Sequence, residues 1–415
     1  MRIAVLVDKF PAPSETFILN QITGLIDRGH EVDIYANTKG DEFGAYDDGG
    51  KYDFGSRTWH FQHGTQRIPP NKLWRFAKAW HLLFVAAKRG RIDLIKSLNV
   101  ARFGKAAASL ELLYKSVDFA NRGAYDIVHA HFGQSGQIAA ALRDIGAIHG
   151  KIITTYYGHD ISHYIKQNGH DVYRFLFAHG DLFIAISESM RDELIRLGCN
   201  RDKIVIHKLG IDLARFQLCP RRHRTDTTKI RLLTVGRLVE KKGLEYGVRA
   251  VAQIVKKFPQ VEYEIAGDGV LREDLIRLIA HLNMTQHIRL LGWQAPENIA
   301  KLMEDADIFL APSVTGKNGD QEGTPTVLIE ALARGLPVIS TLHSGIPEVV
   351  QDGQSGLLVP EWDIDALATQ LEYLCTHRDR WEDMGRAGRT WVERHHDIVR
   401  LNDQLVTCFE YVLKG

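Results

Sequence analysis

The sequence predicts an α/β protein built from two doubly wound domains and a helical C-terminal tail. Three observations predict it. From Ile3 to Lys208, short apolar runs alternate with amphipathic segments. Strand, helix and strand within about 35 residues form the βαβ unit of a parallel sheet. A second series of the same kind runs from Arg231 to Leu374, and beyond it only helical spacing remains, through Trp381, Met384, Trp391 and Tyr411. Between the two series, Leu213 to Thr228 is polar and basic (Arg221, Arg222, His223, Arg224) and contains Pro220, as a linker does. The expected division is 1–212 for the first domain, 213–228 for the linker, 229–385 for the second domain and 386–415 for helices packing back on the first.

In the first half, Ile3–Val7 reads as a buried strand bounded by Asp8. The loop KFPAPSE follows, then a helix from Phe17 to Ile26 with Ser14 as its N-cap. Val32–Ala36 is the next strand. Residues 38–70 are glycine-rich, polar and aromatic without a usable period, so an irregular loop or short hairpin is expected. Strands are expected at Ile127–Phe132, Ile152–Tyr156, Leu182–Ile186 and Ile204–Lys208, with helices at Gln137–Arg143 and Met190–Leu197. In the second half, strands are expected at Arg231–Val235, Glu262–Ala266, Ile288–Leu291, Ile308–Ala311, Val338–Thr341 and Gly356–Val359. Helices at Leu244–Phe258, Leu271–Leu282, Glu297–Met303, Pro347–Val350 and Ile364–Leu374 complete that alternation.

One segment breaks the pattern. Lys72, Arg75, Lys78, Lys88, Arg89, Arg91, Lys96, Arg102 and Lys105 stand against a single acid, Asp93, with Trp74, Phe76, Trp80 and Phe84 among them. Basic residues with interfacial aromatics on a helix fit contact with anionic lipid headgroups. A helical hairpin with a core stripe and a solvated basic face fits the same spacing.

Bulk properties exclude several classes. The 415 residues are 45% hydrophobic and 25% charged, with a formal net charge of +1, so no global charge argues for nucleic acid. Cys199, Cys219, Cys375 and Cys408 are far apart with no CxxC pair, which fits a reducing cytoplasm rather than a disulfide framework or a thiolate zinc site. The start, MRIAVLVDKFPAPSE, does not read as a signal peptide, since its apolar run is short and meets Asp8. No apolar run approaches the roughly 20 residues that span a bilayer. A cytoplasmic protein is expected, peripheral at the inner face of the plasma membrane if the basic-aromatic segment binds lipid.

The chemistry concentrates at strand ends. Gln321–Thr341, QEGTPTVLIEALARGLPVIST, opens a helix near Pro325, read as a first-turn proline, and closes it at Gly335. Glu322 lies just before that helix N-terminus and Glu330 inside its early turns. Helix N-termini bind anions through free N–H groups and the dipole, and the carboxylates suit sugar hydroxyls. Mere dipole complementarity for Glu322 and a solvated position for Glu330 fit the spacing equally. The turn Gly236-Arg237-Leu238-Val239-Glu240-Lys241-Lys242-Gly243 follows a strand and precedes a helix. There Arg237 can grip phosphate bidentately and Lys242 adds a point charge. The spacing of a P-loop is absent. Gly267, in Gly267-Asp268-Gly269, marks a tight turn at the next strand end. In the first half, His129 and His131 share one strand face and could form a metal pair, but no third ligand has convincing spacing. The triplets Asp305–Asp307 and Asp363–Asp365 are read as a helix-to-strand junction and a helix cap. No metal site is expected.

The combination resembles the retaining nucleotide-sugar glycosyltransferases of the large family four, which have the two-domain GT-B fold. Its marks are the E-x7-E element EGTPTVLIE, the GRLVEKKG turn, AGDG at Ala266–Gly269 and LGW at Leu291–Trp293. FPAPSETFI near the start is similar to bacterial exopolysaccharide enzymes. The resemblance spans nearly the whole chain and is more specific in its second half. It implies that Arg237 and Lys242 hold the donor diphosphate and stabilise it as a leaving group, with Gly236 and Gly267 beside them. Glu330 would bind the ribose hydroxyls and Trp293 face the nucleobase. Glu322 would contact the donor sugar, with Gly323, Thr324, Pro325, Thr326 and Val327 nearby. Ser14, Glu15, Thr16, Tyr157, His159 and Asp160 would lie on the acceptor or sugar side of the first domain. Many members carry a histidine in a THGxD-like motif, where this chain has Tyr157 followed by Gly158, His159 and Asp160. His131 or His159 then supplies the lost polar contact, or Tyr157 does so with its hydroxyl.

The implied activity is metal-independent, retaining transfer of a hexose, glucose or galactose, from a UDP-sugar to a glycan or lipid-linked acceptor of the cell envelope. A non-catalytic UDP-sugar-binding partner subunit is the competing reading. A starch- or glycogen-synthase-like enzyme fits less well, because DKFPAPSE lacks the KTGG-type loop.

Overall fold

In the computed structural model, residues 1–12, 15–40, 50–61, 68–119, 123–219 and 229–415 are described. Two parallel sheets organise the chain. The first contains β1 (Arg2–Phe10), β2 (Glu31–Lys39), β3 (Thr58–His60), β4 (Ile127–His131), β5 (Lys151–Tyr156), β6 (Leu182–Ala185) and β7 (Ile204–Ile206). Their order is β3-β2-β1-β4-β5-β6-β7. The second contains β8 (Ile230–Val235), β9 (Val261–Ala266), β10 (Ile288–Gly292), β11 (Ile308–Ala311), β12 (Val338–Thr341) and β13 (Gly356–Val359), in the order β10-β9-β8-β11-β12-β13. Helices cover both faces of each sheet, so the central strands are buried on both sides and read as continuous apolar runs. Ile3, for instance, is fully buried between Val32 and Ile127.

Two expectations about the first domain change. Residues 58–60 form neither loop nor hairpin but a parallel edge strand on β2, pairing Tyr35 with Trp59. Three residues are too few to show a period. Ser14, the expected N-cap, lies outside the described residues; the helix Thr16–Asp27 is preceded by Glu15, whose side chain makes no capping bond.

The basic-aromatic segment folds as the helix Lys72–Lys88, a 3₁₀ stretch Ile92–Leu98 and the helices Val100–Ala108 and Glu111–Phe119. The long helix turns its small face inward: Ala79, Leu82 and Ala86 are buried, and Ala79 and Leu82 pack with Leu110, Leu113 and Tyr114. Trp74 and Trp80 are 72% and 69% exposed, and Leu73, Phe76 and Phe84 are exposed on the same face. The buried stripe of this helix is thus Ala79, Leu82 and Ala86, and the aromatic residues stand outside it. Among the described residues, no helix is long and apolar enough to cross a membrane.

At the C-terminus, the expected boundary after residue 385 falls inside the helix Arg380–His395. That helix stays with the second domain: a side chain at Gly385 would meet the carbonyl oxygen of Gly335 at 2.2 Å. The chain crosses back at a bridge between Ile211 and Asp397. The last helix, Ile398–Lys414, then packs on Thr16–Asp27, where Arg28 reaches Asp403 at 2.7 Å and Asn402 donates to the Asn20 carbonyl at 3.2 Å. Helix-on-helix packing thus ties the last residues to the first domain, and the two sheets present their strand ends to a common cleft.

Candidate active site in the interdomain cleft

A cleft of about 2320 Å³ opens between the domains, at the carboxyl ends of their strands. Its second-domain wall is built from the turns that follow successive strands. Gly236 and Arg237 follow β8, Gly267 follows β9 and Trp293 follows β10. The loop of Glu322 to Pro325 lies between β11 and the helix Thr326–Ala333. Two of these turns touch through glycine: Gly267 has φ +141°, and a Cβ there would lie 1.9 Å from the Gly236 carbonyl oxygen. The domains meet through another glycine, Gly323, whose Cβ would lie 1.9 Å from the Tyr157 carbonyl oxygen.

Pro325 is the N-cap residue, with ψ 114°, rather than the first helical position as expected. It offers no side-chain cap, so the first-turn amides of Thr326 and Val327 are left at the cleft wall with the positive end of the helix dipole.

Glu322 is buried, and its Oε1 lies 3.2 Å from Lys242 Nζ. Burial pushes this carboxyl up, but the charges of Lys242 and Lys241 outweigh it and hold it below its ordinary value. Lys241, also buried, reaches Asp320 at 3.1 Å and the Gln321 carbonyl at 3.1 Å. Asp320 faces His159 Nδ1 at 3.4 Å from the other domain. Burial pushes Asp320 up, yet the bonds and charges of His159 and Lys241 bring it down to about 2. The backbone of Glu322 is fixed as well. Its N–H donates to His343 Nε2 at 3.0 Å, His343 Nδ1 donates to Glu361 at 2.8 Å, and Glu361 accepts the Thr315 N–H at 2.6 Å. An imidazole accepting at Nε2 and donating at Nδ1 is neutral and held in one tautomer. None of Lys241, Asp320, His343 and Glu361 was singled out from sequence. Lys241 adjoins Lys242 in the same turn, whereas His343 and Glu361 carry no local signal.

Glu330 is half-buried on the cleft wall, and burial raises it to about 7 against the opposing charges of Arg215 and Arg334. Arg237 is exposed to the cleft, and its side chain makes no hydrogen bond or ion pair among the described residues. Trp293 stands at the rim, 68% exposed.

The first-domain wall includes Glu15, Thr16, Phe17, Tyr157 and His159. Two expected members are not on it. His131 is fully buried beneath Tyr157, with Nδ1 2.6 Å from the Tyr157 hydroxyl. Burial raises the phenol and lowers the imidazole, so both are neutral and share one hydrogen bond inside the domain. The hydroxyl of Tyr157 is thus spent inside the domain. Its ring faces the cleft between Phe17 and Phe132, at centroid distances of 4.5 and 4.9 Å. Asp160 is also fully buried, accepting the N–H groups of Tyr157 (3.1 Å), Gly158 (3.0 Å) and Gly133 (3.1 Å), so it shapes the loop instead of reaching a ligand. His129 bonds Thr155 Oγ1 at 2.8 Å. Among the described residues, no group of three or more His, Cys, Asp or Glu is placed to hold a metal ion.

Two parallel α/β domains facing a cleft of strand-end turns define the GT-B class of glycosyltransferases. Anabaena HepE, solved in complex with UDP, has this fold: the TM-score is 0.73 at 18% identity, over 99% of this chain and 100% of that one. The family follows from sequence likeness. The models for Glycosyltransferase Family 4 and Glycosyl transferases group 1 match residues 96–215 and 217–391. WcaL of Escherichia coli K12, a glycosyltransferase named for colanic acid biosynthesis, is 39% identical over 380 residues, covering 89% of this chain and 90% of that protein. AmsK of Erwinia amylovora, named for amylovoran biosynthesis, is 36% identical over 376 residues, with 89% and 90% covered. The chain belongs to this group 1, family four glycosyltransferase family.

Proposed function

We propose that the protein is a retaining, metal-independent hexosyltransferase of exopolysaccharide synthesis. It transfers glucose or galactose from a UDP-sugar to a glycan or lipid-linked acceptor. The observation that carries this reading is the juxtaposition on one wall of Arg237, whose side chain is unpaired among the described residues, the Lys242–Glu322 pair and a helix N-terminus without a side-chain cap. The names of WcaL and AmsK support the pathway class, and HepE is also solved with UDP-glucose.

In this reading, Arg237, Lys242 and the amides at Thr326 and Val327 hold the diphosphate. Lys242 Nζ is paired in charge with Glu322 at 3.2 Å and has three N–H donors to offer phosphate. Breaking the anomeric bond builds negative charge on the diphosphate, and these fixed cations and amides stabilise it without reorganising. Glu322 accepts hydroxyls of the sugar, Glu330 those of the ribose, and Trp293 stacks on the base. The incoming hydroxyl attacks from the face that the phosphate leaves. The exposed aromatic and basic face of Lys72–Lys88 docks the enzyme on an anionic membrane, at the cytoplasmic face.

The deciding experiment is release of nucleoside diphosphate from a panel of nucleotide sugars, with and without EDTA. Turnover of UDP-glucose or UDP-galactose, unchanged by EDTA, is expected. Tight UDP binding with turnover at buffer background indicates a non-catalytic binding subunit instead. Activity lost in EDTA and restored by magnesium overturns metal independence.

The raised value of Glu330 carries its own prediction. Ribose hydroxyls prefer the ionised carboxylate, so donor affinity is present above about pH 7 and falls as the group protonates. Donor KM is expected to rise by roughly 5- to 10-fold between pH 8 and 6. Glu330→Gln should bind weakly with a flat profile; a wild-type profile in that variant removes Glu330 from the donor site.

A further inference from the structure

Residues 343–348, which follow β12, touch both the Glu322 loop and the first domain. At the start of this segment, His343 Nε2 accepts the Glu322 N–H at 3.0 Å. In its middle, the Gly345 N–H donates to the Gly323 carbonyl at 3.3 Å. A Cβ at Gly345 would lie 2.9 Å from that carbonyl oxygen, 2.8 Å from Thr324 Oγ1 and 3.3 Å from the Cβ of Ser187 in the first domain. At its end, the Glu348 carboxylate crosses the domain boundary. Its oxygens accept the N–H groups of Glu188 at 2.8 Å and Ser189 at 3.0 Å.

Those two amides open the helix Glu188–Arg196 of the first domain. Ser187 caps the helix from within its own domain by accepting the Met190 N–H at 3.1 Å. The Glu188 and Ser189 amides are left for an outside acceptor, and a carboxylate at the positive end of the dipole is a charge-assisted one. On the other side of the Glu322 loop, residues 317–321 meet residues 159–166 of the first domain. There Asp320 faces His159, the Asn318 carbonyl His163 and the Lys317 carbonyl Lys166, and the Gln321 N–H donates to Ser162 Oγ. The loop that carries Glu322 is thus held against the first domain from two sides, directly on one and through residues 343–348 on the other.

We propose that Glu348 is a positioning residue for transfer. By capping the helix Glu188–Arg196 it holds the domains together, and through His343 and Gly345 it fixes the backbone of Glu322 and Gly323 in that arrangement. This rests on the transferase reading above and deepens it. Glu348 does not line the cleft, so it acts through these neighbours and touches neither donor nor acceptor. Its loss lets the first-domain wall, which carries the acceptor, move away from the donor. Reacting groups misplaced by about 1 Å lose on the order of 100-fold in rate.

The test compares full-length wild type, Glu348→Ala and Glu348→Gln. UDP release is measured from the UDP-sugar that wild type turns over, UDP affinity by calorimetry, and domain closure by small-angle X-ray scattering with saturating UDP. Glu348→Ala should lower kcat by about 10- to 100-fold. Its UDP affinity should stay within about twofold of wild type, because the groups assigned to the nucleotide lie on the second domain's own wall. Its scattering should report a more open molecule. Glu348→Gln keeps one acceptor oxygen and should fall between the two in rate and in closure. Wild-type kcat or unchanged scattering in Glu348→Ala overturns the assignment, as does a Glu348→Gln no faster than Glu348→Ala. A loss of UDP affinity matching the loss of rate also overturns it, marking a general structural role. If wild type releases no UDP from any donor, the transferase reading fails first; the scattering then still reads whether Glu348 holds the domains together.

Discussion

Lys242→Ala is expected to lower sugar transfer by about 100- to 1,000-fold, the cost of removing one preorganised charge donor at a developing anion. The effect belongs to the transition state, because the diphosphate gains charge only as the anomeric bond breaks. The rate constant should therefore fall more than donor affinity. Glu322→Ala should be comparably damaging from the other side of the pair, through lost sugar contact. The two losses should not add, since the groups lie 3.2 Å apart and each orients the other. The fold should survive both changes. In Lys242→Ala, Glu322 still feels Lys241, and its backbone N–H still bonds His343. In Glu322→Ala, Lys242, half-buried and open to the cleft, remains solvated. Steady-state kinetics with the turned-over UDP-sugar, beside a thermal melt, measure this. Wild-type kinetics in either variant would remove the pair from the site.

Trp74→Ser combined with Trp80→Ser should weaken binding to anionic phospholipid vesicles by about 100- to 10,000-fold. Burying a large apolar side chain is worth roughly 1.5–3 kcal/mol, and each 1.4 kcal/mol is tenfold. Stability should hardly change, because the helix packs through Ala79, Leu82 and Ala86 on its opposite face. The basic residues around the tryptophans add attraction that salt screens. Wild-type cosedimentation should therefore weaken with ionic strength and be absent with neutral vesicles. Equal cosedimentation of wild type and the double variant would assign this face to something other than the bilayer. In cells, the double variant should move from the membrane fraction while keeping its donor hydrolysis in solution.

The strands were the most legible elements. A parallel strand covered on both faces has no polar alternation to confuse, and Ile308–Ala311, Val338–Thr341 and Gly356–Val359 lie where their apolar runs place them. Thr58–His60 was not legible, because a three-residue edge strand takes its structure from pairing with β2 rather than from its own pattern. That residue 385 lies inside a helix was not legible for a related reason. Helical spacing continues through it, and contacts in space, such as Gly385 with Gly335 and Arg389 with the Ala333 carbonyl, assign the helix Arg380–His395 to the second domain.

At the candidate site, strand-to-helix turns carry their chemistry locally, so Gly236, Arg237, Lys242, Glu322 and Glu330 could be picked out one segment at a time. Their meeting on one wall is a product of the sheet. Partners from distant segments were invisible: nothing near His343 or Glu361 announces that they hold the Glu322 backbone, and nothing near Asp320 announces His159. The substitution at Tyr157 was visible as a letter, but its meaning was not. Which way the phenol points depends on His131, one strand away, and the answer is inward.

The sequence by itself determined the two-domain α/β class, the family and the strand-end turns of the candidate site, because these reside in local periodicity and in turns whose residues lie close along the chain. Tertiary structure alone decided that Asp160 and His131 serve the loop rather than the cleft. It also decided that the aromatic side of Lys72–Lys88 faces out and that Glu15 lines the cleft with no ion pair among the described residues. Burial and pairing are properties of neighbours in space, and the neighbours that matter here come from separate strands and separate domains.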